Sequence, residues 1–147
     1  MWRGDDRRTV MKTAIFDRKE SALFRQSFDR LAPKADRFSE ALYTHLFALA
    51  PSVRTLFEPS LDEQYYKLTR MLIVMVEAVD EPEEFERVCR ESGERHRQYG
   101  AVPAHYPMLA EAFVAALRET IGTTPAEEAL WVRLYSEAAR LMIEGTA

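Results

Sequence analysis

The sequence predicts an all-α fold of about seven helical segments. Between the prolines, apolar residues recur at intervals of three and four, the period of a helix with one buried face. No stretch alternates apolar and polar residues with a period of two, as a half-buried strand would. Glycine is scarce, five in 147 residues, which leaves little material for the tight turns of a β-protein.

The first helix is predicted over Arg18 to Leu31, with Leu23, Phe24, Ser27, Phe28 and Leu31 on one side. Pro33 separates it from a second, Lys34 to Leu49, because proline lacks the amide that would continue the ladder. Phe38, Ala41, Leu42, Leu46 and Leu49 form one stripe there, and Tyr43 and Phe47 another, so this helix is expected to be wedged between two neighbours. Pro51 opens a short helical turn ending at Phe57. Ser60 and Glu63 have the S-x-x-E spacing of a reciprocal cap, which predicts a long helix from there to Val79. Its middle, Met71 to Val76, is apolar all round, the pattern of a helix buried on several sides. Asp80 and Glu83 repeat the cap spacing for a helix over Glu81 to Tyr99, and Gly100 is a stop signal. Pro103 opens the next, through Ile121, with Pro107 expected to disturb its first turn and Gly122 to end it. Thr124-Pro125-Ala126-Glu127 combines an N-cap, a proline at the first helical position and a cap glutamate, and the last helix is expected to reach about Ile143.

The 147 residues and 17.0 kDa fit one domain with a sizeable core. Apolar residues at 47% and charged residues at 30% place the chain among folded globular proteins and exclude a disordered one. A net charge of −4 implies no polyanion-binding surface and so no nucleic-acid partner. A single cysteine excludes an internal disulfide and a Cys-based zinc site. The longest apolar run, Met71 to Val76, falls far below the ~20 residues that span a bilayer, and no membrane partner is expected. The charged start MWRGDDRRTV lacks the apolar run of a signal peptide, so the expected location is cytoplasmic. Residues 1–13 read as an extension, with Met11 an alternative start.

Few side chains point to chemistry. His45 has no patterned partner and reads as a surface residue, while His105 reads as helping to satisfy a helix end. His96 differs, because it continues the stripe Phe85, Val88, Cys89 and Ser92 toward the interior. A buried imidazole needs a partner for each ring nitrogen. Ser92, one turn back, offers its carbonyl or hydroxyl to one nitrogen. The other then faces inward with a lone pair that suits a metal, or bonds to Tyr106 or Tyr135 as in a plain buried histidine. Cys89 lies about 10 Å from His96 along the helix axis, too far for a nucleophilic dyad. No Gly-rich phosphate loop, G-x-S-x-G turn, H-E-x-x-H helix or inward carboxylate pair is present. Gln64 shares a face with Leu68, Leu72, Met75 and Val79. It reads either as a cap residue or as a donor aimed into a pocket. Tyr43 is the other inward polar candidate.

A wider pattern runs through the chain. It comprises Leu31-Ala-Pro, Ala41-Leu-Tyr-Thr-His-Leu-Phe, Ala50-Pro-Ser-Val-Arg-Thr-Leu-Phe57, Glu63-Gln-Tyr-Tyr-Lys-Leu, Gly93-Glu-Arg-His96-Arg-Gln-Tyr-Gly100, Pro103-Ala-His-Tyr106-Pro, and Trp131 with Tyr135. This pattern resembles the globin family, most of all bacterial single-domain haemoglobins and the globin part of flavohaemoglobins. The resemblance makes 14–147 a globin domain packed around haem b (iron protoporphyrin IX). It implies that His96 is the proximal ligand of the iron, that Phe57 wedges against the porphyrin, and that Gln64 and Leu68 lie on the distal side with Tyr43. It places Lys67 near a haem propionate, Tyr99 and Val102 beneath or beside the ring, and Tyr106 against the proximal histidine.

The implied function is reversible binding of dioxygen, and of nitric oxide and carbon monoxide, at a five-coordinate iron. Hydrogen bonds from Tyr43 and Gln64 would stabilise bound dioxygen by about 1–3 kcal/mol each. Two alternatives share the pocket: a nitric oxide dioxygenase served by an external reductase, and a haem-based gas sensor or interaction module. One departure concerns the late acidic residue of flavohaemoglobins. Glu144 falls early for that place and Thr146 occupies it, which weakens a peroxidase-like push onto the iron. With the sequence ending at Ala147 and no flavin or NAD reductase segment in it, turnover is expected to need an external reductant. A monomer or a homodimer is expected.

Overall fold

The computed structural model describes residues 14–144. The predicted extension, Met11 and Thr146 lie outside the described residues. Among those described, six α-helices and two short 3-10 segments carry the fold, and no strand occurs. The seven predicted segments are these six helices and the 3-10 segment at Pro51; the further 3-10 turn holds Pro33.

Helix α1 (Arg18–Leu31) opens with a capping box that the sequence reading did not single out. The Asp17 side chain accepts from the Glu20 amide at 2.8 Å, and Glu20 accepts from the Asp17 amide at 3.0 Å. The 3-10 turn Ala32–Lys34 leads straight into α2 (Ala35–Leu49). Both stripes of α2 are buried, Phe38, Ala41, Leu42 and Leu46 on one side and Tyr43 on the other. Leu49, expected in the first stripe, is exposed at the helix end. Helix α2 packs against α5 and α3, with Phe38 meeting Phe113 edge-on at 5.2 Å. A 3-10 segment, Pro51–Leu56, then turns the chain and delivers Phe57 in extended conformation.

Helix α3 (Asp62–Ala78) departs from expectation twice. Leu61 is its N-cap, so Ser60 lies one residue too early for the predicted box and reaches only the Asp62 amide, at 3.4 Å. Its apolar middle is not buried all round. Leu72 and Val76 are, but Ile73 and Val74 are 42% and 36% exposed. The neighbours of α3 are chiefly α2 and α4, which leave Ile73 and Val74 uncovered.

Helix α4 (Pro82–Gln98) starts without the predicted Asp80 cap. Asp80 instead accepts from Ser21 at 3.2 Å and pairs with Arg25 at 2.7 Å, tying the α3–α4 turn to α1. Gly100 takes a φ of 96°, which only glycine adopts freely, and lets the chain leave α4. Helix α5 (His105–Ile121) accommodates Pro107, because the first-turn amides have no intrahelical acceptor to lose. Before α6 (Pro125–Glu144) the predicted box forms. Glu127 donates its amide to Thr124 Oγ at 3.1 Å, and Thr124 donates its amide to Glu127 at 3.0 Å. The Glu127 carboxylate also takes two bonds from Arg30 at 2.7 and 2.8 Å.

The centre of the core is Trp131, fully buried on α6 between Phe24 at 4.5 Å and Phe113 at 5.8 Å. Its indole donates to Ser27 Oγ at 2.8 Å, so burying this polar nitrogen costs little. Helices α4 and α6 meet backbone to backbone at Gly93, where a Cβ would lie 2.1 Å from the Met142 carbonyl oxygen. No helix among the described residues is long and apolar enough to cross a membrane.

Candidate functional site

His96 sits near the end of α4, one turn beyond Gly93. Its Nδ1 donates to the Ser92 carbonyl at 2.7 Å, with Ser92 Oγ at 3.4 Å. This is the bond expected from the i, i−4 spacing, and it fixes the tautomer. The proton is on Nδ1, and Nε2 carries the lone pair. Burial pushes the His96 pKa below the usual imidazole range, which favours the neutral ring. Nε2 has no hydrogen-bond partner among the described residues, yet it is no buried orphan, since every buried side-chain nitrogen and oxygen described is satisfied. The lone pair is therefore accessible from outside the packed protein.

The plain alternative, a histidine bonded to Tyr106 or Tyr135, does not form. Tyr135 Oη donates to the Tyr106 carbonyl at 2.7 Å instead. No hydrogen bond or ring contact joins Tyr106 to His96; the aromatic neighbour of His96 is Tyr99, with ring centroids 6.5 Å apart. Tyr99 and Val102 are both largely exposed on the α4–α5 connection.

A second polar group is assembled on α2 and α3. Gln64 Nε2 donates to Tyr43 Oη at 3.0 Å, joining the two candidates that the sequence left separate. Tyr43 is only 6% exposed, and burial pushes its phenol pKa up to about 12, against the opposing pull of the Gln64 bond. The hydroxyl stays protonated, and because it accepts from Gln64 its own proton is free for another acceptor. Phe57 stands edge-on to Tyr43 at 5.5 Å and to Phe47 at 5.4 Å. Leu68 is half-buried against the core on the Gln64 face. The bulky Tyr65 beside Gln64 is drawn in, its ring 5.9 Å from Tyr43. Lys67 is exposed and pairs with Glu63 at 3.4 Å.

Sequence reasoning missed two members of this group. Phe47 was placed on a stripe with Tyr43 but given no role, although the i, i+4 spacing was a usable signal. Arg54, whose Cζ lies 5.3 Å from the Phe47 ring centroid, stands in the stretch Ala50 to Phe57 but carries no role in the sequence pattern. Both other histidines are as unremarkable as expected. His45 meets Glu119 at 2.9 Å on the surface, and His105 Nδ1 accepts from the Val102 amide at 3.3 Å.

Among the described residues no group of three or more histidine, cysteine or acidic side chains could hold a bare metal ion. A single neutral imidazole suits a metal whose other donors arrive with it, as the four nitrogens of a porphyrin do. The apolar walls offered by Phe57, Leu68 and Phe47 suit the plate of such a group. The residues present therefore fit haem.

Comparison with known proteins agrees. A globin family model matches residues 40–142. An uncharacterized globin-like protein of Aquifex aeolicus is 29% identical over 104 residues, covering 69% of this chain and 73% of that protein. A flavohemoprotein of Deinococcus radiodurans is 25% identical over 131 residues, covering 85% of this chain but 32% of its own length. The chain thus spans about a third of that relative. Among solved structures, a bacterial globin from Campylobacter jejuni superposes with a TM-score of 0.79 at 16% identity, over 88% of this chain and 96% of that one. An engineered carbene transferase, derived from a candidate nitric oxide dioxygenase of Rhodothermus marinus, gives 0.78 at 25% identity over 89% and 93%. Proteins of this family bind haem, and with most of its length matched this chain belongs to the globin family.

Proposed function

We propose that this chain is a haem protein that reversibly binds dioxygen, and nitric oxide and carbon monoxide at the same site, with His96 as the residue that would hold the iron. The observation that carries the reading is the neutral His96 imidazole, oriented by the Ser92 carbonyl with an unpartnered Nε2. When bound, haem would supply an iron able to take up a diatomic gas. The single cysteine, Cys89, is buried, so the covalent thioether attachment of a c-type haem has no partner here and a b-type haem is the fitting form.

The other residues then have distinct tasks. Ser92 holds the imidazole plane and its tautomer. Tyr43, restrained by Gln64, holds a hydroxyl proton ready for an acceptor on the distal side. Phe57 and Leu68 wall the pocket and exclude water. Tyr99, Val102 and Tyr106 line the proximal side. Lys67 gives up its exposed pairing with Glu63 to meet an anionic rim at little cost, since such surface pairs contribute only ~0–1 kcal/mol. All these groups come from one chain, so a monomer is sufficient for the site, and a cytoplasmic setting suits it.

A second reading, nitric oxide dioxygenation with electrons from a separate reductase, is favoured by the flavohemoprotein relatives and shares every residue above. Nitrate formed over repeated cycles from nitric oxide, dioxygen, protein and a reductase would move that reading ahead. A haem-free interaction module is disfavoured by the joint presence of His96, Phe57, Tyr43 and Gln64.

His96→Ala is the test of the ligand. The expected protein keeps its helical circular dichroism and fails to retain hemin on gel filtration. Retained hemin with a wild-type ferrous spectrum would refute the assignment.

A further inference from the structure

Arg54, within the 3-10 segment Pro51–Leu56, makes contacts that neither the fold nor the proposed gas binding has used. Its Nη1 donates to the Glu58 carbonyl at 2.9 Å and more weakly to the Phe57 carbonyl at 3.4 Å, and its Nη2 donates to the Pro59 carbonyl at 2.7 Å. These three successive carbonyls lie between the 3-10 segment and α3, where no helical ladder serves them. The Cζ of the same guanidinium lies over the Phe47 ring, 5.3 Å from its centroid. Phe47 stands edge-on to Phe57, and both rings flank Tyr43.

One cation thus holds this corner in two ways. Its N–H groups hold the backbone that carries Phe57, and its charge lies over the ring against which Phe57 leans. Phe57 itself has little else to hold its backbone, which is extended at φ −116° and ψ 156° with one local bond from its amide to the Arg54 carbonyl at 3.1 Å. Arg54 makes no ion pair with a carboxylate among the described residues, so its donors go to the corner. Lysine is no substitute, because a compact ammonium lacks the fork that reaches adjacent carbonyls.

We propose that Arg54 is the positioning residue for Phe57, holding the corner so that this ring meets the haem and braces Tyr43. The inference rests on the reading of the site as a haem pocket. An arginine that only stabilised the fold would affect haem retention independently of Phe57. One that acts through Phe57 has nothing left to act on once that ring is removed.

The experiment is a double-mutant cycle on hemin loss, read as transfer to excess apo-acceptor from wild type, Arg54→Lys, Phe57→Ala and the double variant. Arg54→Lys is expected to lose hemin about tenfold faster than wild type, the scale of one charge-assisted hydrogen bond. The double variant is expected to lose it no faster than Phe57→Ala alone. Effects that multiply, or an Arg54→Lys rate equal to wild type, would overturn the proposal. Phe57→Leu replaces Phe57→Ala in the cycle if the alanine variant retains no hemin. A second arm needs no haem: amide exchange in the apoprotein at Phe57, whose N–H donates to the Arg54 carbonyl. It is expected to quicken about tenfold in Arg54→Lys while the α5 core stays protected; unchanged exchange overturns the hold on the corner. Wild type that takes up no hemin sinks the haem reading instead, and the exchange arm still decides whether Arg54 holds the corner.

Discussion

The two sides of the proposed haem pocket are built by different means. On the His96 side, position is set by backbone. Helix α4 touches α6 through Gly93 and the Met142 carbonyl, and the imidazole is aimed by the carbonyl of Ser92. On the Tyr43 side, position is set by side chains, with Gln64 bonding Tyr43 across two helices while Phe57, Phe47 and Tyr65 crowd its ring. Backbone contacts have no rotamers to change, whereas side-chain contacts can be retuned one residue at a time. A change at the Gly93 backbone contact is therefore expected to act through the fold, and a change at the Tyr43 hydroxyl through ligand kinetics.

Gly93→Ala should show the first kind of failure and the largest effect. The added methyl has no side chain to displace, only the Met142 backbone, so α4 and α6 must separate. A loss of about 3 kcal/mol in chemical denaturation is expected, the upper end for overpacking. A stability within about 0.5 kcal/mol of wild type would mean that the helix contact is loose.

Tyr43→Phe should show the second kind. It removes the hydroxyl and leaves the aromatic packing. Dioxygen release, measured by stopped-flow displacement with carbon monoxide, is expected to quicken about tenfold, equivalent to about 1.4 kcal/mol, with little change in thermal stability. An unchanged off-rate would mean that the Tyr43 proton is spent elsewhere.

How much of this contrast the sequence shows depends on how local each feature is. Helix positions are legible because proline, cap and period signals act within a turn or two, and α1 spans Arg18–Leu31 as predicted. The Ser92–His96 bond is legible for the same reason, one turn of one helix. Two of the three predicted boxes divide on this line. Thr124 and Glu127 form theirs, but Asp80 is drawn off by Arg25, 55 residues away. The α3 middle misleads because an apolar run states what a helix can bury, not how many neighbours come to cover it. Likewise Gln64 and Tyr43, 21 residues apart, each announce a polar position but not their mutual bond. Arg54 gives no signal of its role, since its acceptors are backbone carbonyls of any residue type.

The smallest effect tests the frame behind the proximal side. Glu127 anchors α6 to α1, and the Arg30 guanidinium holds its carboxyl down to about 2 from the ordinary 4.5. A carboxylate lowered on folding contributes stability above its unfolded value and loses it as pH falls through the folded one. Wild-type stability is therefore expected to drop between pH 4.5 and about 2, in part through this group. Glu127→Gln should flatten that drop and cost about 1 kcal/mol at neutral pH, through the pair and the cap together. An acid profile identical to wild type in urea titrations would remove the pair from the frame.

The most direct test of the central claim is an absorption spectrum of the purified protein during hemin titration, then reduced and exposed to carbon monoxide. The account requires saturation at one hemin per chain, a ferrous spectrum of a histidine-ligated haem, and a shift on adding the gas. A protein that stays colourless after titration and desalting would contradict it, however closely its helices follow the globin arrangement.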